Sequence, residues 1–215
     1  NDKEKMFAYN TSVICDNNNY ILTVDTNPSN MHDSVAFYSS FDKLVNNYDI
    51  SKTKYFVGDA AYLTNHIRKT IIDLDMIPGL PYSRLGYKKG YFKKYEFVYD
   101  ELNDIYICPN GKDLISNDKY NKNGYKIYKA DKCDCSKCPF KEQCTKSSYK
   151  QILRHVWEEY KEMVNDYRHH QDVREIYKQR PQHIERVFAD GKMKYGLTKT
   201  YFRTREKVHR ELTLL

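Results

Sequence analysis

Between Ser83 and about Tyr149 the chain changes character, and that break constrains the fold more than any single motif does. Before it, β-prone runs and helix-spaced apolar residues take turns. Within it Gly, Lys and Tyr become frequent, strand-like pieces are short (Glu96 to Tyr99, Ile105 to Ile107), and five of the six cysteines appear. After it, apolar residues recur at helical spacing in Val156, Tyr160, Met163, Val164 and Tyr167, then in Ile176, Ile184, Val187 and Phe188. One α/β core interrupted by a cysteine-rich insertion accounts for this order. The expected parts are 1–82, the first part of the core; 83–150, the insertion; and 151–215, two closing helices that begin near Ile152.

Within the first part, Phe7 to Ile14 and Tyr20 to Val24 flank Cys15-Asp-Asn-Asn-Asn19, whose Asn and Asp residues tolerate positive φ, so a hairpin is expected. After the turn at Asn27 to Asn30, Val35, Tyr38, Phe41, Leu44 and Val45 predict a helix capped by Asn30 or Asp33. A strand Tyr55-Phe-Val57, a helix through Ile67, Ile71, Ile72 and Leu74, and a short run from Met76 to Leu80 complete the order strand, strand, helix, strand, helix, strand.

A content of 40% hydrophobic and 30% charged residues over 215 positions is that of a soluble globular protein, with room for one ordinary core and a smaller unit. No apolar run approaches the roughly 18–20 residues of a membrane span, and Asn1-Asp-Lys-Glu-Lys lacks the apolar stretch of a signal peptide. A cytoplasmic, nucleoid-associated location without membrane contact is expected. The absent initiating Met and the ending Leu212-Thr-Leu-Leu215 read as a fragment truncated at both ends. The net charge of +7 is uneven: residues 1–79 carry 7 basic and 10 acidic groups, residues 150–215 carry 15 and 10. Phosphate-rich partners would favour the C-terminal part, although a solvated Lys-rich surface explains the same numbers.

Two carboxylates stand out. Asp59 follows the apolar run Tyr55 to Val57, as a side chain exposed at the end of a buried strand does. Glu185 lies in the stretch Arg180 to Lys192, which read as one helix sets Glu185 and Lys192 two turns apart on one face. Two divalent ions roughly 3.5–4 Å apart, held by Asp and Glu, can act on both oxygens of a phosphodiester displacement, and Mg²⁺ or Mn²⁺ requires such hard oxygen ligands. The plainer alternatives are a turn-capping Asp and a solvated helical Glu.

Cys135-x2-Cys138-x5-Cys144 with Cys108 upstream supplies four thiolates for a tetrahedral structural Zn²⁺, which soft sulfur selects over Mg²⁺. Cys133 is an alternative ligand, disulfides are the competing reading, and Cys15 reads as an isolated small hydrophobe. The segment Arg84 to Tyr95 interleaves five cations with four aromatics, suited either to phosphates and bases or to a surface strand with inward-packed rings.

The segments Asn27-Pro-Ser-Asn-Met-His-Asp-Ser34, Val57-Gly-Asp-Ala-Ala-Tyr-Leu-Thr64, Tyr106-Ile-Cys-Pro-Asn-Gly111, Cys135 to Cys144 and Ile184 to Lys192 occur in the order found in bacterial insertion-sequence transposases with a DDE catalytic domain, and the chain resembles that family over nearly its whole length. The resemblance implies an RNase H-like mixed sheet flanked by helices. It also implies two Asp and one Glu holding divalent metal, and cleavage and transfer of DNA strands at transposon ends and target. Asp59 would be the second Asp and Glu185 the closing Glu. Tyr177, Arg180, Arg186 and Lys192 would contact double-stranded DNA, with either Arg180 or Arg186 in the arginine position because four residues, not three, separate Arg180 from Glu185. A homodimer on DNA and a DNA-binding region before Asn1 are further expectations. His32 and Asp33 are expected to start a helix.

The chain departs from the family in a further respect. The first Asp belongs on the first strand, before the hairpin, and Asp2, Asp16 and Asp25 do not fill that place. The expected fold therefore lacks its first strand, and the fragment is expected to be inactive as it stands. A non-catalytic, zinc-stabilised DNA-binding remnant is the rival, and a metal-dependent nuclease on the same fold is a third reading.

Overall fold

The computed structural model describes residues 8–82 and 89–214, which form two compact units: the first combines 8–82 with 160–214, the second is 89–159. The architecture is mixed α/β. Asp2 and Phe7, named above, lie outside the described residues.

In the first unit, strands β1 (Tyr9–Cys15) and β2 (Ile21–Pro28) pair antiparallel from Tyr9 opposite Pro28 to Val13 opposite Val24. Their turn forms because the Asp16 carboxylate accepts the N–H groups of Asn18 and Tyr20, both at 2.9 Å, while Asn19 takes φ 68°. Helix α1 (Asp33–Asn47) starts at His32, whose ring accepts the Ser34 N–H at 3.2 Å. Asn30 or Asp33 was the expected cap. The buried face is Ala36, Phe37, Ser40, Phe41 and Leu44, whereas Val35 and Val45 are exposed. The apolar periodicity placed the helix correctly but rotated its inner face, since Phe37 and Phe41 stack (centroids 4.8 Å apart) and direct that face inward.

Strand β3 (Tyr55–Val57) runs parallel to β4 (Ile77–Gly79), joined by a 3-10 turn (Ala60–Tyr62) and helix α2 (Asn65–Asp73). Ile67 and Ile71 of α2 are fully buried against Phe37, Phe41, Leu44 and Met76. Burying one such side chain contributes about 1.5–3 kcal/mol.

The second unit is a five-stranded antiparallel sheet in sequential order: β5 (Val98–Asp100), β6 (Ile105–Ile107), β7 (Asp113–Tyr120), β8 (Tyr125–Ala130) and β9 (Gln151–His155). Short helices α3 (Lys132–Ser136) and α4 (Lys141–Cys144) carry the cysteines between β8 and β9. Phe97, Tyr106, Leu114, Tyr128, Ala130 and Ile152 form its core. Ile152 thus lies in a strand where helical spacing was expected. Its run alternates, with Ile152 buried and Leu153 exposed, and Ile152 pairs with Tyr128.

Four helices close the chain, not two: α5 (Glu158–Tyr167), α6 (Gln171–Gln179), α7 (Ile184–Tyr195) and α8 (Arg205–Leu214). No helix among the described residues is long and apolar enough to cross a membrane. Helix α8 lies on β2: Arg205 donates to the Thr26 and Asn27 oxygens, and the His209 ring meets the Thr26 hydroxyl at 3.2 Å.

Candidate active site

Asp59 stands at the C-terminal end of β3, presented by a tight backbone. A Cβ on Gly58 would come within 3.1–3.2 Å of Leu80, Tyr62 and Phe56, so only glycine lets the chain turn there without displacing them. The Asp59 carboxylate accepts the Ala61 N–H at 2.9 Å and remains 44% exposed. It caps a 3-10 turn and faces solvent, as both of its sequence readings allowed.

Glu185 reaches the same place from the other end of the chain. Helix α6 packs by β4, and the Asp172 carboxylate accepts the Tyr55 hydroxyl at 2.5 Å. The His183 ring, at the start of α7, bonds the Asn19 side chain of the hairpin turn at 2.8 Å. Between α6 and α7 the stretch Arg180–Gln182 is a 3-10 turn, and His183 adopts φ −107°, ψ −92°. The single helix expected over Arg180 to Lys192 is therefore interrupted and starts at Ile184. Pro181, the second residue of that turn, lacks an N–H and is tolerated there because the first turn's N–H groups have no partner within the turn. This break absorbs the extra residue between Arg180 and Glu185. From Ile184 onward the helical reading holds, and Glu185 and Lys192, seven residues apart, share a face of α7.

One guanidinium joins the two carboxylates. Arg180 Nη1 donates to Glu185 Oε1 at 3.0 Å, and Nη2 stands 3.8 Å from Asp59 Oδ2. Residues 126 positions apart in sequence thus share a cation. The Tyr62 hydroxyl, three residues after Asp59, belongs to this neighbourhood. Its pKa is pushed up to about 12, first by burial, then by the negative charges of Asp59 and Asp33, with Arg180 and a hydrogen bond involving Ser12 acting the other way. The phenol thus holds its proton more firmly than a free tyrosine does. The sequence reading overlooked Tyr62 and treated Asp33 only as the start of a helix; the i, i+3 spacing from Asp59 in a tight turn was the available signal.

The other DNA-contact candidates are placed separately. Tyr177 is half-buried on α6, whereas Arg186 and Lys192 are exposed on α7. Asp16 serves the hairpin turn, and Asp25 is buried and paired with Lys43 at 2.8 Å. Burial opposes ionisation of Asp25, but hydrogen bonds from Lys43, Ser39 and Asn27 outweigh it and lower the pKa. Two hard carboxylates on one cation fit a divalent ion in donor chemistry, yet among the described residues no three His, Cys, Asp or Glu side chains converge as a ready metal site.

The same holds for the thiols of the second unit. All six cysteines are free. Cys108, Cys135 and Cys144 pack against the sheet's core. The Cys144 thiol is pushed up by burial, pulled back by Lys150, and raised again by Cys135, Cys108 and Cys138, so the four sulfurs lie near one another without closing into a site. Cys108 heads a tight turn: its N–H donates to the Lys112 carbonyl and its carbonyl accepts the Gly111 N–H, both at 2.8 Å, while its sulfur accepts the Lys112 N–H at 3.4 Å. Gly111 takes φ 68° there. Cys133 is exposed.

Of the segment Arg84 to Tyr95, residues 84–88 lie outside the described ones. Phe92 packs against the core, Lys94 pairs with the buried Glu158 at 2.7 Å, and Tyr95 is exposed.

The sequence profile of a family described as a transposase DDE domain matches residues 107–215, just over half of the chain. The matched stretch contains the four candidate zinc ligands, Arg180 and Glu185, and stops short of Asp59. No curated protein and no solved structure matches the chain.

Proposed function

Since the chain belongs to the transposase DDE-domain family, we propose that it is the catalytic part of an insertion-sequence transposase that cuts double-stranded DNA and transfers its strands, on an RNase H-like core. The observation that carries this reading is the meeting of Asp59 and Glu185, from opposite ends of the sequence, on the Arg180 guanidinium. Both side chains would hold Mg²⁺ or Mn²⁺, which when bound supplies positive charge at a scissile phosphate. The half-exposed carboxylates are accessible to such an ion and to DNA. Arg186 and Lys192, exposed on the helix that carries Glu185, would neutralise backbone phosphates, and Tyr177 and Arg180 would border the same DNA.

The structural roles that the two carboxylates already fill, Asp59 as the cap of a 3-10 turn and Glu185 as the ion-pair partner of Arg180, favour one rival, a DNA-binding protein without cleavage. Mn²⁺-dependent nicking of supercoiled plasmid separates the two, since salt-sensitive DNA binding is common to both. In a chain that nicks, Asp59→Asn and Glu185→Gln should each reduce the rate by about 10²-fold or more. Binding without nicking fits both the rival and the inactive fragment expected above; nicking regained by a chain extended upstream of Asn1 would exclude the rival, and none regained would support it.

A structural Zn²⁺ on Cys108, Cys135, Cys138 and Cys144 is a separate proposal for the second unit. It is favoured by the turn at Cys108, whose sulfur already accepts a backbone N–H as thiolate ligands do. The four sulfurs would have to close around the ion. Metal analysis of the purified chain tests it: one zinc per chain, lost in Cys138→Ser, is expected, and a metal-free, equally stable chain would sink it.

A further inference from the structure

The cation between Asp59 and Glu185 belongs to the chain itself. Arg180 bonds Glu185 at 3.0 Å and stands 3.8 Å from Asp59, so the oxygens that the reading above assigns to a divalent ion already face a positive charge. Its side chain is about one-quarter exposed, and it projects from the 3-10 turn between α6 and α7, not from the interior of a helix. In this neighbourhood the facing charged and titratable groups are Asp59, Glu185, Asp33 and the protonated Tyr62.

We propose that Arg180 is a built-in competitor of the catalytic metal: in the free protein it occupies the carboxylates, and it must leave them when a divalent ion enters. This rests on the reading of Asp59 and Glu185 as metal ligands. The physical ground is like-charge repulsion. A guanidinium hydrogen-bonded to a carboxylate oxygen disfavours a doubly charged ion on the same group, because the two cations would then stand only a few ångströms apart. Displaced from its carboxylates, the guanidinium needs a new anionic partner, and a planar donor fork suits a phosphate oxygen pair. Metal entry and DNA binding are then linked, each promoting the other through a single side chain. A consequence is that the free protein holds its metal weakly until DNA is present.

Mn²⁺ binding to the full chain, followed by the loss of the free-ion electron paramagnetic resonance signal, tests this without any cleavage assay. Wild type is compared with Arg180→Gln, Arg180→Lys and Glu185→Gln, each with and without a 20-base-pair duplex. Removing the charge in Arg180→Gln should tighten Mn²⁺ binding by about tenfold without DNA, equivalent to about 1.4 kcal/mol, and abolish the gain that DNA gives wild type. Arg180→Lys keeps the charge but loses the fork, and should tighten binding less. Unchanged or weaker Mn²⁺ binding in Arg180→Gln, with Glu185→Gln still disrupting it, overturns the competition while leaving the metal reading intact. Mn²⁺ binding that Glu185→Gln does not alter overturns both.

Discussion

The two units build their candidate sites in opposite ways. In the first, Asp59 and Glu185 are 126 positions apart and meet only because α6 packs by β4 and His183 ties the start of α7 to the hairpin turn. In the second, Cys108, Cys135, Cys138 and Cys144 span 37 positions and are gathered by one sheet, a tight turn and two helices of four and five residues. The carboxylate site depends on long-range packing, and the thiol cluster depends on local turns. Damage to the first unit's core should therefore abolish metal binding at the carboxylates and spare the cysteine region, whereas loss of a cysteine should do the reverse.

The largest effect should come from the chemistry of the first unit. Asp59→Asn or Glu185→Gln is expected to cost about 10²-fold or more in Mn²⁺-dependent nicking while leaving the thermal midpoint nearly unchanged, measured by plasmid relaxation and by circular dichroism. A comparable loss from Cys138→Ser would erase the contrast between the units. Next, Ile67→Ala removes a fully buried side chain of the α1–α2 core, and should destabilise by about 2–5 kcal/mol in urea unfolding, with Mn²⁺ binding lost over the same denaturant range. Mn²⁺ binding that survives that transition would show that the carboxylates do not depend on the core.

A smaller effect is expected at Gly58. Gly58→Ala places a Cβ within 3.1–3.2 Å of Leu80, Tyr62 and Phe56, for about 1–3 kcal/mol of destabilisation and a greater loss of Mn²⁺ affinity than of stability. Equal wild-type affinity would mean that the turn presenting Asp59 tolerates displacement.

The smallest effect lies in the second unit and depends on pH. Burial would raise the Asp104 carboxyl, but hydrogen bonds from Lys126, Tyr128 and Tyr99 outweigh it and hold the pKa at about 2. An unfolded Asp titrates near about 3.9. A folded pKa below the unfolded one contributes stability that is full above pH of about 4 and is lost as the pH falls towards about 2. Because the group is partly exposed, the loss should be modest, and Asp104→Asn should flatten that part of the acid-unfolding curve. An unchanged curve would remove the linkage.

Much of the secondary structure was legible because its signals are local. The hairpin with its Asp and Asn turn, the helix after Asn30, the strand before Asp59 and the order of elements to Leu80 follow from turn chemistry and periodicity. What was misread depended on neighbours. The inner face of α1 is set by the stacked Phe37 and Phe41 packing against α2, which leaves Val35 and Val45, members of the same apolar periodicity, exposed. Ile152 lies in a strand because Tyr128 on β8 offers it a partner and a buried face, which apolar spacing does not reveal. The helix through Arg180 was over-extended because Pro181 marked a break that the charge pattern concealed.

The sequence by itself determined the residue types on which the site depends: a carboxylate after a short strand, another in a late helix, arginines and lysines around it, and four cysteines spaced for soft-metal ligation. Each of those properties resides in one residue and its nearest neighbours along the chain. Only the tertiary structure decided that Asp59 and Glu185 share the Arg180 guanidinium, and that the Tyr62 phenol beside Asp59 holds its proton more firmly than a free tyrosine does. Those outcomes follow from distance, burial and charge summed over elements far apart in sequence, and such sums exist only once the chain has packed.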